Sequence, residues 1–214
     1  MIGTAPAADA LLKARKGIVQ IVDVPEFCYA SVLGSGPPGG PEFTDALQAL
    51  YSVSYTAHFL VKKETGAAPR VMPLEGLWWA DGPDGDALFT AVAQGEAEIA
   101  AGDRERWRWR LLIMQPAPVD EDVIARALAA ARAKKPLPGL DRLRCLRWEE
   151  GRCAQLLHVG PYAAEGPSIA ALQAGLAEAG YRPRGRHHEI YLGDPRRSAP
   201  ERLRTILRHP VEPA

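Results

Sequence analysis

The chain has 214 residues, of which 47% are hydrophobic and 24% charged, as is typical of soluble globular proteins. Its 26 basic and 26 acidic side chains cancel, so no overall positive charge attracts nucleic acid or an anionic membrane. No apolar run approaches the length of a membrane span, and the first residues do not form a secretory signal. Three cysteines without metal-type spacing are typical of a reducing compartment. We therefore expect a cytoplasmic protein that binds neither nucleic acid nor membrane.

The hydrophobic pattern of the first half predicts strands and helices in alternation. Residues 1–16 are expected to be a leader, helical over 8–16. Strands are predicted over 18–25 and 27–33, a glycine- and proline-rich loop over 34–41, a helix over 42–61, and strands over 70–80 and 106–114. The segment 88–100 fits a helix or a strand, and a further helix is predicted over 120–135.

The second half repeats this order. A strand over 152–158 leads into a Gly160-Pro161 turn, followed by a helix over 168–179 and strands over 186–192 and 204–211. Gly36-Pro37 precedes the first helix as Gly160-Pro161 precedes the second, so Glu75 corresponds to Glu189. The repeat predicts a strand–helix–strand–strand unit twice, and two such units packed together would place both glutamates near a pseudo-twofold axis. The length allows either one sizeable core or two small ones that share an interface.

These two glutamates lie inside strands that are otherwise apolar. Because strand side chains alternate between faces, Glu75 shares a face with Trp79, and Glu189 shares one with His187 and Tyr191. A carboxylate among aromatic rings is costly to desolvate and needs a partner. The partner is either one of the many arginines or a flat, cationic ligand, and the residue pattern leaves both open.

Four of the five tryptophans occur as Trp78-Trp79 and Trp107-x-Trp109. Core packing accounts for such rings in many small domains. The alternative is a pocket walled by aromatic rings, whose faces hold a flat or cationic ligand. The sequence alone does not decide between the two.

Three other patterns indicate no specific chemistry. The segment 34–39 matches the dinucleotide fingerprint by letter, but Pro37 and Pro38 lack the N–H groups that hold phosphate. His187 and His188 point to opposite faces of a strand, and no third ligand has a metal-type spacing, so no metal or cofactor is predicted. No serine or cysteine lies in a nucleophile elbow.

Four segments together resemble the stand-alone GyrI-like small-molecule-binding proteins: 50–55, 72–79, 158–162 and 187–197. The resemblance runs in order from about residue 17 to 214 and implies one α+β domain over 17–214, with a first module at 17–135 and a second at 140–214. It implies two pseudo-symmetric strand–helix–strand–strand modules, with an antiparallel sheet and helices around a central ligand cleft. The same fold forms the effector-binding half of multidrug-responsive transcription activators. Those activators also carry a DNA-binding helix-turn-helix, for which the segment before the first predicted strand is too short.

The resemblance also implies a function. It implies binding of flat aromatic, often cationic small molecules, for multidrug binding, sequestration or sensing. Some GyrI-like proteins are instead hydrolases that detoxify spirocyclopropyl DNA-alkylating compounds, opening the cyclopropane with glutamate-activated water. A further alternative is a modulator of a DNA topoisomerase; a monomer or weak dimer fits each of these. The residues implied are Glu189 and Tyr191 for catalysis and, for ligand binding, Glu75, Trp78, Trp79, Trp107, Trp109, Tyr51, Tyr55, Tyr162 and His187.

Overall fold

The computed structural model describes residues 8–82 and 106–214. The α-helices in this part of the chain are α1 (Ala8–Leu11), α2 (Pro41–Thr65), α3 (Glu121–Lys134) and α4 (Gly166–Glu178). The strands are β1 (Gln20–Ser35), β2 (Leu74–Ala80), β3 (Trp107–Gln115), β4 (Arg144–Val159), β5 (Tyr181–Pro183), β6 (His187–Tyr191) and β7 (Arg204–Pro213). The ambiguous segment 88–100 lies outside the described residues. No described helix is long and apolar enough to cross a membrane.

The predicted α+β class and its repeated order are confirmed. The order β1-α2-β2-β3 recurs as β4-α4-β6-β7, with α3 between the two series and the short β5 added to the second. β1 is one continuous strand through Pro25, although the missing N–H of a proline predicts a break there. β4 likewise begins well before the predicted residue 152, because the strand continues through Gly151 at a φ of 74°.

The chain divides into two compact units, each built from separate stretches of sequence. Among the described residues, the first unit comprises 8–26, 77–82 and 149–214, and the second comprises 27–76 and 106–148.

In the first unit, β7 pairs antiparallel with β4, β5 and β6. Tyr191 and His158 both lie opposite Thr205 in this register, and Glu189 and Leu156 both lie opposite Leu207. Directly paired residues point to the same face, so these side chains share one face of the sheet. Helix α4 covers that face with the apolar side predicted from its 3.6-residue period, and the core there consists of Ala154, Leu156, Ile169, Leu172, Leu176, Leu207 and Val211.

The opposite face of this sheet buries a charged network. Glu150 accepts hydrogen bonds from His188 Nδ1 (3.0 Å) and Arg208 Nη1 (3.2 Å), and Gln155 Oε1 accepts from Arg208 Nε (3.0 Å). The side chains of Arg208 and Gln155 also donate to the carbonyl of Leu11 in α1, both at 3.3 Å. Burial raises the pKa of Glu150, but His188 and Arg208 outweigh it and the pKa falls to about 2. The network therefore holds an ionised carboxylate inside the unit.

In the second unit, β1 pairs antiparallel with β3, and α2 packs against α3 and β3. The buried face of α2 is made of small and apolar residues: Ala46, Ala49, Leu50, Val53, Ser54, Ala57 and Val61. On β3 the predicted apolar face is buried, with Trp109 opposite Gly34 in the ladder. The indole lies against the Gly34 backbone so closely that a Cβ there would overlap the ring. A glycine is required at this point of β1 because the tryptophan occupies the space of its side chain.

Candidate functional site

Aromatic and acidic side chains meet on the α4 face of the first unit. The indole Nε1–H of Trp78 donates to the Tyr191 hydroxyl at 3.0 Å, and that hydroxyl donates to Glu189 Oε2 at 2.7 Å. The other carboxylate oxygen, Oε1, lies 3.4 Å from His187 Nε2. The strand alternation that placed His187, Glu189 and Tyr191 on one face therefore agrees with the contacts.

Glu189 is fixed by its neighbours and still reaches solvent. Its side chain is 15% exposed, whereas that of His187 is buried. The ring of Tyr162 stands edge-on to the ring of Tyr191, with centroids 5.7 Å apart, and Tyr162 is 39% exposed. A carboxylate in this position can contact a ligand that packs on the exposed ring.

Tyr191 acts as a hydrogen-bond donor toward Glu189. Burial, followed by the negative charge of Glu189, raises the pKa of the Tyr191 hydroxyl well above its usual range. The phenol therefore keeps its proton at neutral pH. A neutral donor with a fixed acceptor orients the carboxylate, since Trp78 holds the phenol oxygen from the other side.

The Gly160-Pro161 turn, which the sequence predicts, brings the start of α4 to this face. His158 holds the turn: its Nε2–H donates to the Pro161 carbonyl (3.3 Å), and the Ser168 hydroxyl donates to its Nδ1 (2.9 Å). Gly160 has a φ of 147°, and a Cβ there would lie 3.2 Å from His158 Nε2. Glycine at this position leaves room for the imidazole.

Glu165, which the sequence reading missed, lies at the N-cap of α4 and is only 6% exposed. Burial and then the charge of Glu189 raise its pKa to about 9, and the nearby Thr205 hydroxyl offsets part of that rise. The site thus contains two acidic side chains close enough to interact. A glutamate in a turn before a helix is usually solvated, so no signal in the sequence marked this one.

The other predicted ligand-binding residues of the first unit differ in surroundings. The guanidinium of Arg186 lies over the ring of Trp79, 3.5 Å from its centroid. This indole face therefore already contacts a cation of the same chain. Trp78, by contrast, is joined to Glu189 through Tyr191.

Five predicted ligand-binding residues belong to the second unit: Glu75, Tyr51, Tyr55, Trp107 and Trp109. Glu75 and Trp107 are buried. Trp109 is fully buried, and Phe43 packs edge-on against it with centroids 5.4 Å apart, which is the geometry of core packing. The rings of Tyr51 and Tyr55 lie 6.3 Å apart on α2, and Tyr55 is 49% exposed.

The second unit also has an arginine-lined concavity of about 390 Å³. Its walls are Ser31, Leu33, Arg110, Arg142 and Arg144. Arg142 pairs with Glu42, and Arg144 donates to backbone carbonyls. The concavity contains none of the predicted site residues. Within the described ranges, no three histidine, cysteine or acidic side chains are grouped to hold a metal ion.

The chain is similar to several known proteins. The model of the GyrI-like small molecule binding domain matches residues 109–212. An uncharacterized conserved protein from Listeria innocua is 34% identical over 95% of this chain and 97% of that chain, with a TM-score of 0.81. A hydrolase from Listeria innocua is 33% identical over 95% of this chain and 96% of that chain, with a TM-score of 0.77.

A more distant similarity to a solved structure shows only that the two proteins share a fold. The C-terminal domain of EcmrR is 12% identical over 92% of this chain and 98% of that chain, with a TM-score of 0.51. A search of curated proteins finds no match. The family model, together with relatives that align over nearly the whole chain, confirms the resemblance. The chain belongs to the family of GyrI-like small-molecule-binding proteins.

Proposed function

We propose that this protein binds flat aromatic small molecules and hydrolyses them with a water molecule that Glu189 activates. The observation that carries the proposal is the setting of Glu189. One carboxylate oxygen accepts from Tyr191 at 2.7 Å, while the side chain remains 15% exposed. A general base needs both an orientation and access to water.

The relatives favour turnover over binding alone. Two solved structures from Listeria innocua, 33% and 34% identical to this chain over 95% of its length, are described as structures of a hydrolase. The family resemblance points to spirocyclopropyl DNA-alkylating toxins as the substrate class. Such substrates are flat and aromatic, which suits the exposed ring of Tyr162 beside Tyr191.

The proposed step is the addition of water across a strained carbon–carbon bond. Glu189 takes a proton from water, and the water oxygen bonds to the cyclopropane CH₂ carbon. The cyclopropane bond between that carbon and the spiro carbon breaks. Its electron pair passes through the conjugated ring system of the substrate to the carbonyl oxygen of the substrate. Relief of ring strain supplies part of the driving force, and Tyr191 keeps the base aligned through the reaction.

The test incubates the protein with a cyclopropane-bearing alkylator and follows the water adduct by mass spectrometry. We expect turnover by the wild type and a loss of about 100-fold or more in Glu189→Gln, which keeps the shape but removes the base. Glu178→Gln, which removes an exposed charge at the other end of α4, is the matched control and should turn over normally. Equal rates for Glu189→Gln and the wild type would contradict the assignment.

A second candidate is binding without turnover, because a glutamate side chain beside aromatic rings also suits a cationic aromatic ligand. Titration with cationic dyes should then quench tryptophan fluorescence. The change should be smaller in Trp78→Phe, and Glu189→Gln should weaken binding. Dye binding by a protein that leaves every cyclopropane substrate intact would favour this candidate over the hydrolase.

A further inference from the structure

Glu165 is an acidic side chain close to Glu189, and the proposed hydrolysis has so far given it no role. It is 6% exposed, and its Oε1 atom is buried with no hydrogen-bond partner among the described residues. Its backbone N–H donates to the carbonyl of Tyr162 at 3.1 Å, which ties it to the ring that borders Glu189. A buried acid oxygen without a partner is costly when ionised, so this position favours a carboxyl group that carries a proton.

The surroundings of Glu165 reinforce that state. The groups that act on it are the carboxylate of Glu189 on β6 and the hydroxyl of Thr205 on β7, and its charge in turn acts on Tyr191. No cation of the described chain is among them. The N-terminus of α4 favours an anion, but the Glu165 side chain makes no capping hydrogen bond to the helix. Burial and the charge of Glu189 raise the pKa to about 9.

We propose that Glu165 is the general acid of the hydrolysis and donates its proton to the oxygen that gains negative charge when the cyclopropane opens. This inference rests on the proposed function. Two acids held in different environments divide the roles of acid and base. The partly exposed Glu189 accepts a proton from water, and the enclosed Glu165 delivers one to the product.

The step balances without an added reactant. Water loses one proton to Glu189 and forms the new carbon–oxygen bond. The electrons of the broken ring bond reach the carbonyl oxygen, which takes the proton of Glu165 and becomes a hydroxyl group. After the product leaves, a proton passes from Glu189 to solvent and one from solvent to Glu165, so that the net reaction is substrate plus water.

The kinetic test compares Glu165→Gln, Glu165→Asp and Glu178→Gln with the wild type on the cyclopropane substrate. We expect kcat to fall by about 100- to 10,000-fold in Glu165→Gln and to be partly restored in Glu165→Asp. Wild-type kcat should also decline as the pH rises through the alkaline pKa of Glu165, and this decline should be absent in Glu165→Gln. If Glu165→Gln hydrolyses the substrate as fast as the wild type does, the general-acid role is overturned.

A second measurement does not depend on turnover. Protein labelled with ¹³C at the glutamate carboxyl carbon is titrated by NMR, and the Glu165 signal is identified by its disappearance in Glu165→Gln. We expect this carboxyl to be protonated at pH 7 and to titrate at lower pH in Glu189→Gln. An ionised Glu165 at pH 7 would overturn the inference whatever the kinetics. A protonated Glu165 in a wild type that hydrolyses nothing would contradict the proposed function and, with it, the catalytic role of the proton.

Discussion

Individual side chains in this site differ in chemistry because their surroundings differ. Glu189 and Glu165 are the same residue type, yet one is partly exposed with a phenol donor and the other is enclosed with a buried, unpaired oxygen. Tyr191 connects them, since it donates to Glu189 and its hydroxyl also responds to the charge of Glu165. Burial and the charge of Glu189 thus keep protons on both Glu165 and Tyr191.

The hydroxyl of Tyr191 can be tested by Tyr191→Phe. The variant keeps the ring against Tyr162 but removes the 2.7 Å hydrogen bond to Glu189. Because the carboxylate then loses its orientation, we expect kcat to fall by about 10- to 100-fold with little change in the affinity for substrate. Tyr181→Phe, which removes a hydroxyl that accepts a hydrogen bond from Arg152 at 3.2 Å, is the control. The role fails if both variants behave like the wild type.

Among the elements, β1 shows how one residue limits what a strand can accept. Gly34 lies opposite Trp109, and the indole fills the space where its side chain would be. Edge-on packing by Phe43 holds the ring there. The tryptophan therefore cannot move aside without disturbing the interior of the second unit.

Gly34→Ala should consequently destabilise the protein. The added methyl group overlaps a buried ring, and overpacking of this kind costs about 1 to 3 kcal/mol. Gly193→Ala is the matched control, because a Cβ there meets its nearest atom at an ordinary 3.6 Å; its effect should stay within about 0.5 kcal/mol. Denaturant unfolding measures both values. Similar losses in the two variants would argue against the indole contact as the cause.

Periodicity predicted the elements well but not their full extent. α2, α3, α4, β3, β6 and β7 lie close to their predicted ranges. The helices and β3 show a clear apolar face. β1 and β4 were predicted too short because Pro25 and Gly151 are typical strand breakers, and pairing with other strands overrides that local preference. Whether a strand continues through a proline or a glycine depends on its pairing with strands that are distant in sequence, which the local pattern does not show.

The candidate site was predictable to the same degree. Glu189, Tyr191 and His187 follow from alternation along one strand, and their contacts agree with it. Glu165 and Glu150 could not be found in this way. Glu165 lies in a turn whose burial depends on the sheet beneath it, and Glu150 adjoins Glu149 in what reads as a solvated segment.

At the scale of the whole molecule, buried ionisable groups make stability depend on pH. Burial and then the charge of His187 lower the pKa of His209 from 6.5 to about 4, and the network around Glu150 lowers the pKa of that carboxyl from 4.5 to about 2. In both cases the unfolded chain binds protons at a higher pH than the folded chain does. Protonation therefore favours unfolding.

We accordingly expect His209 and Glu150 each to lower the free energy of unfolding on acidification, each over its own pH range. His209 should account for a loss of about 1 to 3 kcal/mol between about pH 6.5 and 4, and Glu150 for a comparable loss between about pH 4.5 and 2. Chemical denaturation of the wild type and of His209→Asn at a series of pH values isolates the His209 contribution, because the opposite contribution of Glu165 is present in both proteins. A difference between the two proteins that stays constant from pH 6.5 to 4 would contradict the prediction.

Glu165 has the opposite effect on how the free energy of unfolding depends on pH. Its pKa is raised to about 9, so the folded chain holds a proton that the unfolded chain has lost, and this group opposes folding as the pH rises from about 4.5 to 9. The protein thus keeps a side chain that lowers its stability at neutral pH. Such a cost is common at functional sites.

The two faces of β6 have a consequence for how the strand is aligned. His188 belongs to the buried charged network and Glu189, the next residue, to the candidate site. A shift of one residue would turn His188 toward the rings and bring the Glu189 carboxylate to the face that already buries Glu150, where two negative charges would repel each other. The mispaired strand is thereby penalised on both faces at once. The charged network thus also fixes the register of β6 and, with it, the position of the proposed base.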